Sequence, residues 1–388
     1  MTDLYKEEVV DPGDKASKCA KDLCVSSYKN NPAAIIVPRQ PGNFRGAVDF
    51  IWAEHILQMM LEKKMFMTVQ NDGAGGKPQF FTIIGTNEIY YRLGWEIIVM
   101  VIDDIARSGG FPVIFCNDVN AKKVTKDNFH LVEAMFSGMD HILSKARQIN
   151  ITGEFAIMKH SVTAFCDKNS DEQLILNWSG TGIGLSHQNK VIDGKNIKAD
   201  MPIVGFWEPG YRCNGGTQHT NLILAKWAKG DIRNIWNSPL AMEFIKKLTI
   251  PSLSYAKTIA RANGWLDDGS VTEPLSKMAV IAHLTGGGVK KLKEVLPDGI
   301  GAYLHNMPEP APVLLQAQEM SFDYPKLIIN DEKAHTTFHG GCGMMVVCKT
   351  ENDAKALVDE AGKDGIKAQI VGKTIKSEPT QILIDQSS

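Results

Sequence analysis

The sequence predicts two mixed domains, each α/β or α+β, and three observations carry that expectation. The chain has 388 residues, longer than a single hydrophobic core usually grows, so two domains are the natural division. Strand-like and helix-like stretches alternate in both halves, the pattern of sheets covered by helices. Between the halves, the polar stretch DKNSDEQ (167–173) marks the expected boundary and divides residues 1–172 from 173–388.

In the first half, MFMTVQ (65–70) reads as a strand running into the loop NDGAGGK (71–77). Glu88 to Ser108 reads as a long helix, apolar on one side and stopped by Gly109-Gly110. FPVIFC (111–116) is a buried strand, and Asn128 to Gln148 repeats apolar residues at helical spacing. Two β-like runs come next, near 161–166 and 174–186. In the second half, strand-like IVGFW (203–207) leads to a glycine-rich loop and a helix from about Asn221. AVIAHL (279–284) is a buried strand ending in TGGG (285–288), with a helix to Leu296. MMVVCK (344–349), a helix from Asp353, IKAQIVGK (366–373) and TQILID (380–385) complete an α/β finish.

Composition narrows the class. With 42 basic and 44 acidic residues the net charge is −2, and nothing global points to nucleic acid or a membrane surface. The first residues, MTDLYKEEVVDPGDK, lack an apolar h-region, and the longest apolar run, Ile97 to Ile102, is too short to cross a bilayer. Seven scattered cysteines form no CxxC pair, which favours reduced thiols and a cytoplasmic location over a disulfide framework or zinc site.

The residues that carry chemistry are carboxylates and glycine loops. Asp72 opens NDGAGGK; Glu96, Asp103 and Asp104 share one helix, with 96 and 103 two turns apart and so on one face. Asp104 falls in the apolar stretch IIVMVIDDIA, where an unpaired carboxylate costs several kcal/mol unless a cation meets it. Magnesium, which prefers oxygen ligands and bridges to phosphates, answers that need; for Glu96 or Asp103 alone, a solvated helix surface is the plainer reading. Glu154 is a further acid in an apolar, glycine-containing segment. NDGAGGK offers backbone N–H groups and Lys77 to a phosphate, although an ordinary tight turn explains it equally, and it is no Walker A motif. HLTGGGVKK (283–291) has the strand–glycine–helix form that faces anions, while SGTGIGL (179–185) has no helix after it and reads as strand. His283 fits either a satisfied core histidine or a substrate contact. His335 and His339 lack acidic neighbours for a metal, and no hydrolase signature emerges.

Taken in order, these segments resemble the aminoimidazole ribonucleotide synthetase (phosphoribosylformylglycinamidine cyclo-ligase) family. LYKEEVVDPGDK is similar to its Tyr-Lys start, and PGNFRG (41–46) to its N-terminal glycine loop. NDGAGGK is similar to T-D-G-V-G-T-K, LGWEIIVMVIDDIARSGGFPVIF to its helix-and-strand block, and ITGEFAIM to G-G-E-T-A-E-M. PGYRCNGG stands where that family has S-G-x-H-S-N-G. VIAHLTGGGVKKLKEVLPDG is similar to A-H-I-T-G-G-G … N-I-P-R-V-L-P, and TFHGGCGMMVV to T-F-N-x-G-V-G-M.

The resemblance implies two α/β domains whose N-terminal sheets pair into a barrel in a homodimer. It implies ATP and Mg²⁺, with a small phosphorylated ribonucleotide as substrate. The nucleotide would be held by Asp72, Gly73, Gly75, Lys77, Asp104, Glu154, Gly286 and Gly287, the metal by Asp72, Asp104 and Glu154, and catalysis would involve His283, Arg212 and Asn214. The implied reaction is ATP-dependent ring closure of formylglycinamidine ribonucleotide to aminoimidazole ribonucleotide. The chain departs from the family pattern at Gly76, Tyr91, Ile157, Arg212 and His339. An arginine at 212 suits a bidentate grip on phosphate. Those departures keep two alternatives open: another ATP-dependent reaction of the superfamily (amidine synthesis, a small-molecule kinase, a maturation dehydratase), or a nucleotide-binding paralogue without turnover.

Overall fold

The computed structural model describes residues 11–38 and 48–385. The PGNFRG loop and the Tyr5-Lys6 start lie outside the described residues. The first part contains α1 (Pro12–Ser27), β1 (Ala34–Pro38), β2 (Val48–Trp52), α2 (Glu54–Leu61), β3 (Met65–Gly73), α3 (Lys77–Ile84), α4 (Asn87–Arg107), β4 (Phe111–Ala121), α5 (Phe129–Lys145), β5 (Ile149–Ile157) and β6 (Leu176–His187). The second contains β7 (Pro202–Trp207), α6 (Gly216–Ile223), α7 (Arg233–Trp236), α8 (Pro239–Leu248), α9 (Ala256–Ala262), β8 (Met278–His283), α10 (Lys290–Val295), β9 (Ile300–Leu304), α11 (Pro312–Ser321), α12 (Asp331–Thr336), β10 (Cys342–Cys348), α13 (Glu351–Lys363), β11 (Ala368–Lys376) and β12 (Ile382–Ile384).

The first sheet has the order β3-β6-β4-β5, antiparallel except for the β4/β5 pair. On its α4-facing side the strand β6 presents glycines. SGTGIGL is indeed a strand, β6, and a Cβ at Gly180, Gly182 or Gly184 would lie 2.5, 2.5 and 2.6 Å from Phe115, Val101 and Ile105 respectively. Alternate glycines on one face let α4 lie close against the sheet, which explains the pattern without a dinucleotide. The opposite face of β3 is apolar and open within one chain: Met67 is 57% and Val69 58% exposed.

The second sheet, β12-β9-β11-β7-β10-β8, is antiparallel apart from β12/β9. The architecture is two mixed-sheet α+β units. They share a core, since Ile97, Ile98 and Val101 of α4 belong to the same buried cluster as Phe206 of β7, Met344 of β10 and Ile259 of α9. A helix with partners on several sides must be apolar nearly all round, which is why α4 buries Ile97 through Asp103 without a break.

Two expectations need correction. The division at 172/173 falls inside the first unit, because β6 comes after it in sequence yet pairs with both β3 and β4. The polar 167–173 stretch is a surface excursion before the chain re-enters the sheet. The run 161–166 is not a strand: Val162 N bonds to Met158 O in a turn, and Phe165 N donates to the Gln79 side chain. Its residues cover α3 instead of pairing, so apolar content alone misled. Among the described residues no helix is long and apolar enough to cross a membrane, and all seven cysteines are free thiols.

Candidate active site between the two sheets

Helix α4 presents its acids to the second unit. Glu96 and Asp103 do share a face, as their spacing requires, but neither is solvated: both are fully buried. Glu96 Oε2 is 2.7 Å from Lys77 Nζ and accepts from Ser252 Oγ at 2.8 Å, and its Oε1 accepts from Ser252 N at 3.0 Å. The Lys77 ammonium also sits 4.9 Å over the Tyr211 ring. Lys77 is therefore committed to a buried ion pair, and the expectation that it meets a phosphate is overturned.

Asp103 is the second sealed acid. Its Oδ2 accepts from Arg212 Nη2 at 2.5 Å, and its Oδ1 from Tyr255 N at 2.9 Å and Ala256 N at 2.8 Å. Burial pushes the Asp103 carboxyl up, and the Arg212 guanidinium with the Tyr255 N–H opposes that push without cancelling it. Arg212 lies under the Asp103 face with its guanidinium 4.6 Å over the Tyr255 ring. Its Nη1 donates to Glu208 Oε2 at 2.7 Å and Leu253 O at 2.6 Å; its Nη2 also contacts His283 Nε2 at 2.8 Å. All four terminal N–H groups are thus taken, and the side chain is out of solvent. The expectation that Arg212 grips a phosphate fails for that reason.

The loop that delivers Arg212 is strained. Arg212 and Cys213 have φ of 45° and 59°, left-handed values that cost non-glycine residues about 1–3 kcal/mol each. Gly343 makes the room: a Cβ there would be 2.3 Å from Tyr255 Oη and 2.9 Å from both Arg212 Cδ and Glu208 Oε2. Asn214, buried beside this loop, donates from Nδ2 to Leu284 O at 2.8 Å, tying the loop to the end of β8. His339 Nε2 meets Gly210 O at 2.8 Å, again inside the protein.

The open acids are Asp72 and Asp104. Asp104 is one residue beyond the sealed Asp103, and its side chain keeps 21% exposure, so the buried member of the IDD pair is Asp103, against expectation. Asp104 Oδ1 is 2.8 Å from His283 Nδ1 and 3.2 Å from Arg107 Nε. Although burial opposes it, these partners hold the Asp104 carboxyl below its usual range. Asp72, at the end of β3, is half-buried and bonded to Gly73 N at 2.8 Å. Burial raises its carboxyl, and the nearby charge of Asp104 adds to that. Two carboxylates that repel one another at an accessible edge are the donor set that Mg²⁺ accepts when phosphates complete its shell.

Glu154 does not join them. It shares a cross-strand row with Gly73, Ser179 and Asp118, whereas Asp72 shares the next row with Gly180 and Asn117. Adjacent rows project to opposite faces, so the sheet separates Glu154 from Asp72 within one chain. Among the described residues no group of three His, Cys, Asp or Glu side chains is arranged to hold a metal, which corrects the expected trio of Asp72, Asp104 and Glu154. Gly75, Gly286 and Gly287 are exposed in turns and Gly73 is the exposed last residue of β3; a Cβ at Gly73, Gly75 or Gly286 would meet no atom within 4 Å. Of the other departures, Tyr91 packs edge-on to His141 and Ile157 lies at the exposed end of β5. Gly76 is the residue before α3.

Sequence reasoning missed Glu208, Ser252 and Tyr255. Glu208 comes directly after β7 and lies four residues before Arg212, a legible signal; nothing local marks Ser252 or Tyr255 as partners of α4.

Comparison with known proteins decides the family. Residues 54–183 match the N-terminal domain of AIR synthase related proteins, and residues 273–385 match the C-terminal domain of the same family. The chain belongs to the AIR synthase related family. Among its relatives, phosphoribosylformylglycinamidine cyclo-ligase of Methanocaldococcus jannaschii is 24% identical over 315 residues, 80% of this chain and 79% of that protein. The cyclo-ligase of Methanococcus maripaludis is 23% identical over 376 residues, covering 96% and 89%. The AIR synthase related fold also matches the crystal structure of thiamine-monophosphate kinase from Stenotrophomonas maltophilia, with TM-score 0.56 and 12% identity over 94% of each chain. Escherichia coli HypE, a hydrogenase maturation protein, matches with TM-score 0.50 and 13% identity over 95% of this chain and 93% of that one.

Proposed function

We propose that this member of the family is a cyclo-ligase that uses ATP and Mg²⁺ to close formylglycinamidine ribonucleotide to aminoimidazole ribonucleotide. The carrying observation is the open Asp72–Asp104 pair, set at the end of β3 beside the Gly75-Gly76 turn in a chain whose curated relatives carry the cyclo-ligase name over about four-fifths of its length.

Asp72 and Asp104 are the residues that would hold Mg²⁺, whose charge would screen the phosphates. An amide oxygen is a poor leaving group. Transfer of the γ-phosphoryl group to it releases ADP and makes an imino-phosphate. The substrate's own nitrogen then attacks that carbon, the carbon–oxygen bond breaks with its electron pair, and phosphate leaves. The protein supplies alignment, through the exposed turn glycines Gly75, Gly286 and Gly287, and a site walled by α4. Lys77 and Arg212 take no part in this beyond holding that scaffold.

Two copies pairing through the open β3 face, at Met67 and Val69, complete the proposal. Incubation with formylglycinamidine ribonucleotide, ATP and Mg²⁺, monitoring ADP and the aminoimidazole product together, tests the reaction. Product in step with ADP supports it; Mg·ATP binding without product would move the substrate elsewhere in the superfamily; no nucleotide binding would leave a scaffold paralogue.

A further inference from the structure

The contacts of Arg212 fix more than its own position. An arginine is a donor only and stays protonated, so the atom it meets must be an acceptor. Its Nη2 faces Asp103 Oδ2 at 2.5 Å and His283 Nε2 at 2.8 Å. His283 Nε2 must therefore offer its lone pair. A doubly protonated imidazole would set two donors against each other, and an Nε2–H tautomer would do the same. The ring's proton is then on Nδ1, where Asp104 Oδ1 lies 2.8 Å away as its acceptor. The ring is enclosed by protein, with Asp103, Asp104, Asp72, Arg107 and Arg212 as the charged groups around it.

We propose that Arg212 locks His283 as the Nδ1–H tautomer and that His283 thereby acts as a positioning residue, donating to Asp104 Oδ1 and aiming the other carboxylate oxygen at the site edge. The chain Asp103–Arg212–His283–Asp104 links two consecutive acids of α4 through two residues of the second unit. One acid anchors the arginine, the arginine orients the imidazole, and the imidazole orients the acid that faces solvent. His283 has no free nitrogen with which to exchange a proton with substrate, so it is not the proton-transfer group. Carboxylate-to-imidazole contacts that set a ligand's orientation ordinarily change metal affinity by about 10–100-fold when removed. The metal-binding consequence rests on the proposed Mg·ATP function; the tautomer does not.

Two readouts test the inference on the full chain. The first is a long-range proton–nitrogen correlation spectrum of the ¹⁵N-labelled apoprotein, with the His283 signals identified by their loss in both His283→Asn and His283→Gln. Nδ1 in the protonated, pyrrole-like range and Nε2 in the lone-pair, pyridine-like range is the expected result; the reverse tautomer, or two protonated nitrogens, overturns the inference. The second is Mg·ATP affinity by calorimetry. Asparagine places its amide N–H near the Nδ1 position and glutamine near Nε2, so His283→Asn should bind within about threefold of wild type and His283→Gln about tenfold or more weakly. Equal losses in two folded variants would overturn the positioning role. If wild type itself fails to bind Mg·ATP, the functional reading falls, and the tautomer measured in the apoprotein still decides the lock.

Discussion

Lys77 Nζ and Glu96 Oε2 lie 2.7 Å apart with both side chains shut off from solvent. The lysine stands in a glycine loop that looks like a phosphate cradle, and the structure spends it on holding α3 to α4 and to the 250–252 segment. Removing one partner of such a pair leaves a buried, uncompensated charge, which costs about 3–5 kcal/mol. Lys77→Met should lower stability to urea by that amount, and Lys77→Met with Glu96→Leu should recover much of it. A Lys77→Met protein as stable as wild type, but unable to bind Mg·ATP, would return the lysine to the nucleotide site.

Asp72 is expected to matter for Mg·ATP binding and little for folding. Asp72→Asn relieves repulsion at a half-buried position, so folding stability should hold or rise slightly, while Mg·ATP affinity falls at least about tenfold, equivalent to 1.4 kcal/mol. Calorimetric titration beside thermal unfolding checks both halves. Unchanged affinity would remove Asp72 from the site.

The buried histidines make stability depend on acid. Burial lowers His219 to about 3, with its neutral ring stacked 4.9 Å from Phe338, and lowers His339 to about 4. Both folded-state values lie below the 6.5 of an unfolded histidine, so the unfolded chain binds more protons and stability falls as pH drops from about 6.5. At pH 5 the loss is about 2 kcal/mol for each ring. Urea unfolding at pH 7 and pH 5 should show the decline, and His219→Gln should flatten it; an identical slope in that variant would assign the acid sensitivity elsewhere.

Gly343 tests how tightly the Arg212 cluster is built. With a Cβ at 2.3 Å from Tyr255 Oη, Gly343→Ala should cost about 1–3 kcal/mol through displacement of the buried ion pairs. Near-wild-type stability in urea would show that the cluster has room to shift.

The pairing of two copies has a direct reading. Val69 is 58% exposed on the outward face of β3, and Val69→Glu would place a charge in any interface built there. Sedimentation should change from dimer to monomer, with the far-ultraviolet circular dichroism spectrum retained. A variant that stays dimeric would put the contact on another surface.

The sequence by itself determined the strands and helices with strong periodicity. The long helix expected at 88–108 is α4 at Asn87–Arg107, and AVIAHL is β8. It also determined that Glu96 and Asp103 share a face, because helical spacing is local geometry. The order of motifs was enough to place the chain in its family. What only the tertiary structure decided is which charges are sealed and which remain open. Asp103 and Asp104 are indistinguishable in IIVMVIDDIA; a turn of about 100° per residue sends one toward Arg212 and the other toward Asp72 and the site edge. Lys77 and Arg212 likewise look like phosphate ligands until Glu96 and Asp103 of α4, with Glu208 four residues before Arg212, pack against them and neutralise them. Burial sets the cost of a bare charge, and burial is a property of the packed whole rather than of any segment.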